Sequence, residues 1–78
     1  MAIAKRRYTV SISARNQLKG KVTEVILGDV MAHITIRIGQ NLVDSVITRK
    51  SAEEMKLKKG DTVVAVVKAT EVMVSKSS

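Results

Sequence analysis

The sequence predicts an all-β fold: a small OB-like barrel of five to six strands with one short helix. Three observations carry that expectation. Short stretches alternate apolar and polar residues with a period of two, the spacing of a half-buried strand. Turn signals recur between them at Gly28-Asp29 and at Gly39-Gln40-Asn41. The chain has only 78 residues, so many short strands must close into one small antiparallel body.

Along the chain, residues 1–7 are small and basic and show no periodicity. Residues 8–13 alternate, with Tyr8, Val10 and Ile12 on one side and Thr9, Ser11 and Ser13 on the other, which predicts a strand. Residues 16–19 read as a polar turn, with Gly20 where the backbone bends. A second strand is expected over residues 21–27. The clearest strand covers residues 31–38, with Ala32, Ile34, Ile36 and Ile38 on one face and His33, Thr35 and Arg37 on the other. A hairpin then returns through residues 42–48.

Ser51-Ala52-Glu53-Glu54 has the pattern of a capping box, with serine at the N-cap and glutamate three residues later. Lys58-Lys59-Gly60-Asp61 predicts the end of that helix. Residues 63–67 are Val-Val-Ala-Val-Val. Such an unbroken apolar run predicts a strand covered on both faces. A last short strand is expected over residues 71–75. Met55 and Met73 read as core filler.

Composition narrows the function classes. A chain this short forms one domain with a limited core, and such domains often need an external staple. There is no cysteine and one histidine, His33. Disulfides and thiolate metal sites are excluded, and an ordinary zinc site is disfavoured. Hydrophobic residues make up 45% of the chain, with Tyr8 its single aromatic, so a core continued across subunits is the expected staple. No apolar run approaches the roughly 20 residues that span a bilayer. No apolar leader follows the basic N-terminal residues. A cytoplasmic protein is the expected location.

The net charge is +7. A positive field attracts nucleic acid, anionic lipid and small oxyanions alike. Lys5-Arg6-Arg7 supplies three of these charges near the N-terminus. Lys56, Lys58 and Lys59 read as a solvated helix end that complements the helix dipole. The carboxylates are scattered and form no acid–base pair, and no phosphate-loop pattern occurs. No nucleophile–base pair or metal set is present, so an enzyme is not expected.

Two segments carry chemistry. Ser13-Ala14-Arg15-Asn16 combines a hydroxyl, an unshielded backbone N–H and a guanidinium fork that matches tetrahedral oxygens. Its plain alternative is an exposed strand end with a solvated arginine. Lys68-Ala69-Thr70 offers a cation and a hydroxyl directly after the apolar run. Its plain alternative is a lysine that snorkels from a strand end. Thr48 is a further hydroxyl at a strand end, for which β-propensity is the simple account. His33 lies on the polar face of its strand and reads as exposed or as a subunit contact.

The segments Ser13-Ala14-Arg15-Asn16-Gln17-Leu18-Lys19-Gly20-Lys21-Val22, Val46-Ile47-Thr48, Leu57-Lys58-Lys59-Gly60-Asp61 and Val67-Lys68-Ala69-Thr70-Glu71-Val72-Met73-Val74 strongly resemble the molbindin family in order and spacing. These are small molybdate- and tungstate-binding proteins built on the Mop (TOBE/Mop) domain. The resemblance implies an OB-like barrel assembled as a hexamer, a trimer of dimers, that binds oxyanions between subunits for storage and homeostasis. It implies that Ser13, Ala14 and Arg15 of one chain meet Thr48, Lys68 and Ala69 of another, with Thr70 adjacent. It implies a second site built largely from backbone, placed around Lys19, Gly20, Lys21 and Val22. Molybdate or tungstate is the implied ligand, with no organic cofactor and no protein side chain ligating a metal directly. A single Mop domain over residues 11–76 is expected, preceded by an extension over residues 1–10.

Two other readings remain at this level. One is a nucleic-acid-binding OB-fold module, which the charge allows, although single-strand binders stack bases on aromatic side chains and only Tyr8 is aromatic. The other is an interaction module whose assembly ignores oxyanions.

Overall fold

The first strand of the computed structural model, β1 (Asn16–Leu27), pairs antiparallel with β2 (Met31–Ile38), which pairs antiparallel with β3 (Asn41–Thr48). A helix α1 (Arg49–Glu54) follows, then β4 (Thr62–Val67) and one 3-10 turn, Ala69–Glu71. The sheet order is β3-β2-β1-β4. The structure describes residues 16–77. The strand expected over residues 8–13 lies outside them. The chain divides into one unit of residues 18–65 and a second that holds residues 16–17 and 66–77 of the described chain.

The predicted all-β class holds, with four strands and one short helix among the described residues. The expected turn at residues 16–19 is not there, because β1 runs unbroken from Asn16. Gly20 lies inside that strand for want of space rather than to bend the chain. A Cβ there would sit 2.5 Å from the Arg37 carbonyl oxygen and 2.8 Å from both Ile36 and Ile38. The real irregularity is a bulge two residues on. Val22 faces Ile36 and Glu24 faces Thr35, so Thr23 is the extra residue. Its Oγ1 donates to the Thr35 carbonyl at 3.3 Å.

β2 forms over the predicted residues. Its alternation places Ala32, Ile34 and Ile36 in the core. The hairpin to β3 turns through Gly39, which has φ +63. Glycine at the first loop position of a two-residue hairpin takes the positive φ of a turn that matches the right-handed twist of the strands.

The helix begins three residues earlier than its capping-box pattern suggests. Thr48, not Ser51, is the N-cap, and its side chain accepts the Ser51 N–H. Ser51 therefore stands in the first turn. The C-terminus is a Schellman closure. Leu57 N–H donates to Ala52 O at 3.1 Å and Lys56 N–H to Glu53 O at 3.0 Å. The left-handed residue is Lys56, with φ 54, rather than a glycine. Gly60, with φ 95, serves the next turn, where Asp61 N–H donates to Lys58 O.

The core of the 18–65 unit is Val22, Ala32, Ile34, Ile36, Ala52 and Ala65. Val25, Ile38, Ile47, Leu57 and Val63 pack against it. Three of the six buried residues are alanines, so the strands and the helix approach closely and little apolar volume is enclosed. The expectation that β4 is covered on both faces fails. Ala65 is buried, but Val64 and Val66 are 51% and 44% exposed. One face of β4 meets the core, and the other is left about half open. Met55 and Met73 are 58% and 91% exposed, so neither fills the core. The last predicted strand is also absent: beyond the 3-10 turn, residues 72–77 form no strand.

Candidate functional site

Thr48 ends β3, where it pairs with Met31 of β2, and its backbone is still extended at φ −70, ψ 149. The next residue is helical. This change of direction leaves the first helical N–H groups without carbonyl partners. Thr48 meets part of that demand: its Oγ1 accepts the Ser51 N–H at 3.0 Å. The same hydroxyl donates to Ser51 Oγ at 2.9 Å. Two hydroxyls thus stand side by side at an exposed strand–helix junction. Thr48 has spent its proton on Ser51, so the outward donor of the pair is the Ser51 O–H.

Sequence reasoning singled out Thr48 and missed Ser51 as its partner. The signal was present as two hydroxyl residues three apart across a strand end. The capping-box pattern drew Ser51 into the wrong role.

Arg49 secures this junction. Its backbone N–H donates to Val30 O at 2.7 Å. Its Nη1 donates to the Gly28 carbonyl at 3.1 Å and its Nε to Glu53 at 2.9 Å. The side chain therefore ties α1 to the β1–β2 turn.

Lys68 precedes the 3-10 turn, with φ −68 and ψ 137, and its carbonyl accepts the Glu71 N–H at 2.9 Å. Lys68, Ala69 and Thr70 are all exposed. Lysine here follows the apolar strand at a change of chain direction, with its ammonium in solvent. Ser13, Ala14 and Arg15 lie outside the described residues.

The residues suggested for a second site lie on β1. Lys19 and Lys21 are exposed, Gly20 is half-buried and Val22 is buried. The Val22 N–H donates to Asp61 O at 2.9 Å and its carbonyl accepts the Gly60 N–H at 2.8 Å. Both main-chain groups of Val22 are therefore committed within the fold. Any backbone donor in this stretch must come from another residue.

Elsewhere, His33 Nε2 lies 3.2 Å from Asp44 Oδ1 on the exposed sheet face. A shallow groove of about 570 Å³ runs between the bulge of β1 and Leu57-Lys58-Lys59. It contains none of the residues picked from the sequence as oxyanion ligands. Among the described residues, no three His, Cys, Asp or Glu side chains gather as a metal site. No described helix is long and apolar enough to cross a membrane.

Comparison with known proteins gives this geometry a family. The TOBE domain model matches residues 12–74. Molybdenum-pterin-binding protein 2 of Clostridium pasteurianum is 48% identical over 66 residues, which covers 83% of this chain and 97% of that protein. The molybdate-binding protein from Sporomusa ovata superposes with a TM-score of 0.80 at 42% identity, over 83% of this chain and 97% of its own. ModG, described as a cytoplasmic molybdate-binding protein, superposes with a TM-score of 0.73 at 35% identity, over 80% of this chain and 45% of its own. The chain therefore belongs to the TOBE-domain family and, within it, to the molbindin (Mop) proteins.

Proposed function

We propose that this protein binds molybdate, and tungstate by the same chemistry, as a cytoplasmic protein of oxyanion storage and homeostasis. The observation that carries the reading is the exposed Thr48–Ser51 hydroxyl pair in a fold shared with molybdate-binding relatives. A desolvated dianion needs opposite charge and several hydrogen-bond donors. Arg15 and Lys68 are the charges this reading assigns. Ser13, Ser51 and Thr70 are its hydroxyl donors, Thr48 is the site residue that holds Ser51 beside them, and the backbone N–H groups of Ala14 and Ala69 complete the set. Lys19, Gly20 and Lys21 are the remaining candidates for a second site.

The donors come from different copies of the chain in this reading, in a hexamer arranged as a trimer of dimers. The exposed aliphatic face of β4 supports assembly, because unpaired apolar strand surface is costly to leave in water. Residues 11–76 then act as one Mop domain, with 1–10 as an extension to it. The role is binding rather than catalysis. Hydrogen bonds without covalent ligation make capture reversible, which suits a store.

Relatives named for molybdenum-pterin raise a second reading, in which the ligand carries a pterin ring. A flat heterocycle is best held by stacking on aromatic side chains. Tyr8 is the chain's single aromatic residue, which favours the bare oxyanion. The same scarcity counts against a nucleic-acid-binding OB module.

Isothermal titration with sodium molybdate tests the assignment. Arg15→Ala and Lys68→Ala are each expected to weaken binding by about tenfold or more, the loss of one charge-assisted contact. Unchanged affinity in both variants would contradict it.

A further inference from the structure

We propose that Arg49 is a positioning residue for the oxyanion site: its guanidinium holds the first turn of α1 so that Ser51 stays against Thr48. The proposal rests on the oxyanion reading above, and it begins from how little else holds the helix. α1 has six residues, and Ala52 is its single buried side chain. A helix this short has no stability of its own in water. Its place is set by its two ends and by what straps it down.

The C-terminal end is closed by Leu57 and Lys56 on the Ala52 and Glu53 carbonyls. The N-terminal end is where the two hydroxyls meet. Thr48 belongs to the sheet, whereas Ser51 belongs to the helix. Their 2.9 Å contact therefore exists only while the first turn of α1 stays formed on the end of β3. Arg49 spans that boundary with two side-chain bonds. One goes to the Gly28 carbonyl in the β1–β2 turn and the other to Glu53 one helical turn on. A planar fork carries its donors on separate nitrogens at fixed positions and so holds two separated acceptors in one geometry, whereas the three donors of an ammonium share one nitrogen on a flexible stem. Its side chain is 41% exposed, so its ion pair with Glu53 adds little stability by itself. The consequence of the fork is geometric.

The experiment compares the wild-type chain with Arg49→Leu, Arg49→Lys and, as reference, Thr48→Ala. Amide hydrogen exchange at Ser51 is measured without ligand, and molybdate affinity is measured by calorimetry. In Arg49→Leu the Ser51 N–H is expected to exchange on the order of tenfold faster while core amides on β2 hold their rates. Molybdate binding should weaken on the order of tenfold, the scale seen when an outer partner of a ligating group is lost. Arg49→Lys keeps the charge but not the fork, so it should behave like Arg49→Leu. Should Arg49→Leu fail to fold, Arg49→Lys carries the same two readouts.

Unchanged Ser51 exchange in both variants overturns the positioning role. So does wild-type affinity in Arg49→Lys, which would make Arg49 a point charge only. If Ser51 exchange rises as expected but neither the wild type nor Thr48→Ala responds to molybdate, the oxyanion reading fails while the strap itself stands.

Discussion

Lys56 is the residue whose conformation is most at odds with its chemistry. At φ 54 it occupies the left-handed region, where a Cβ crowds the following carbonyl. The position is the C′ site of a Schellman closure, which glycine fills in most helices. The fold holds it there because the Leu57 N–H must reach Ala52 O, which carries the Leu57 side chain onto the core. Lys56→Gly is expected to stabilise the protein by about 1 kcal/mol, read as a rise in urea midpoint at constant slope. A fall in midpoint would show that the lysine stem makes contacts worth more than the strain. Thr48 shows the opposite case, in which a single residue meets two demands. Its hydroxyl caps a helix and forms half of the proposed ligand pair, so its loss touches stability and binding together.

At the scale of elements, the strands were legible wherever alternation alone decided them. β2 reads off its own period, since Ala32, Ile34 and Ile36 are buried and His33 and Arg37 are not. β1 was misread at its start because Asn16, Lys19 and Gly20 are turn residues by local chemistry. Pairing with the sheet overrides that preference, and Gly20 fits by having no side chain. Gly20→Ala tests this reading. Its methyl would meet the Arg37 carbonyl at 2.5 Å, a backbone atom that cannot swing aside. The variant is expected to lose about 1–3 kcal/mol in chemical denaturation, the range for overpacking. A variant as stable as the wild type would mean that Gly20 is a turn residue after all.

The helix illustrates a different failure. Ser51 and Glu54 fit the capping pattern, yet Thr48 takes the cap because β3 ends there and the chain must turn at once. The final strand failed because Val72 and Val74 alternate without a partner among the described residues, and a strand pattern forms no strand by itself. Of the proposed site, Thr48, Lys68 and Ala69 were singled out by the family's motif spacing. Ser51 and Arg49 were not, since their roles arise from distances across the sheet–helix junction.

Among the described residues the core is small and much aliphatic surface is exposed, including Ile26, Val46, Val64 and Val66. Three alanines among the six buried residues of the 18–65 unit enclose little volume, and a chain of 78 residues has limited means to stabilise itself alone. Assembly and ligand binding are the two remaining sources, and in the proposed function they are one event, because the anion is held by groups from more than one copy. A ligand that binds only the folded assembly raises its stability by mass action, by about 2.7 kcal/mol at one hundred times its dissociation constant. The most direct measurement is a thermal melt of the purified protein with molybdate, tungstate, sulfate or phosphate at equal concentration. The account predicts an upward shift with molybdate and tungstate that sulfate and phosphate do not reproduce. An identical melting temperature in all four salts, or an equal rise with every dianion, would contradict it.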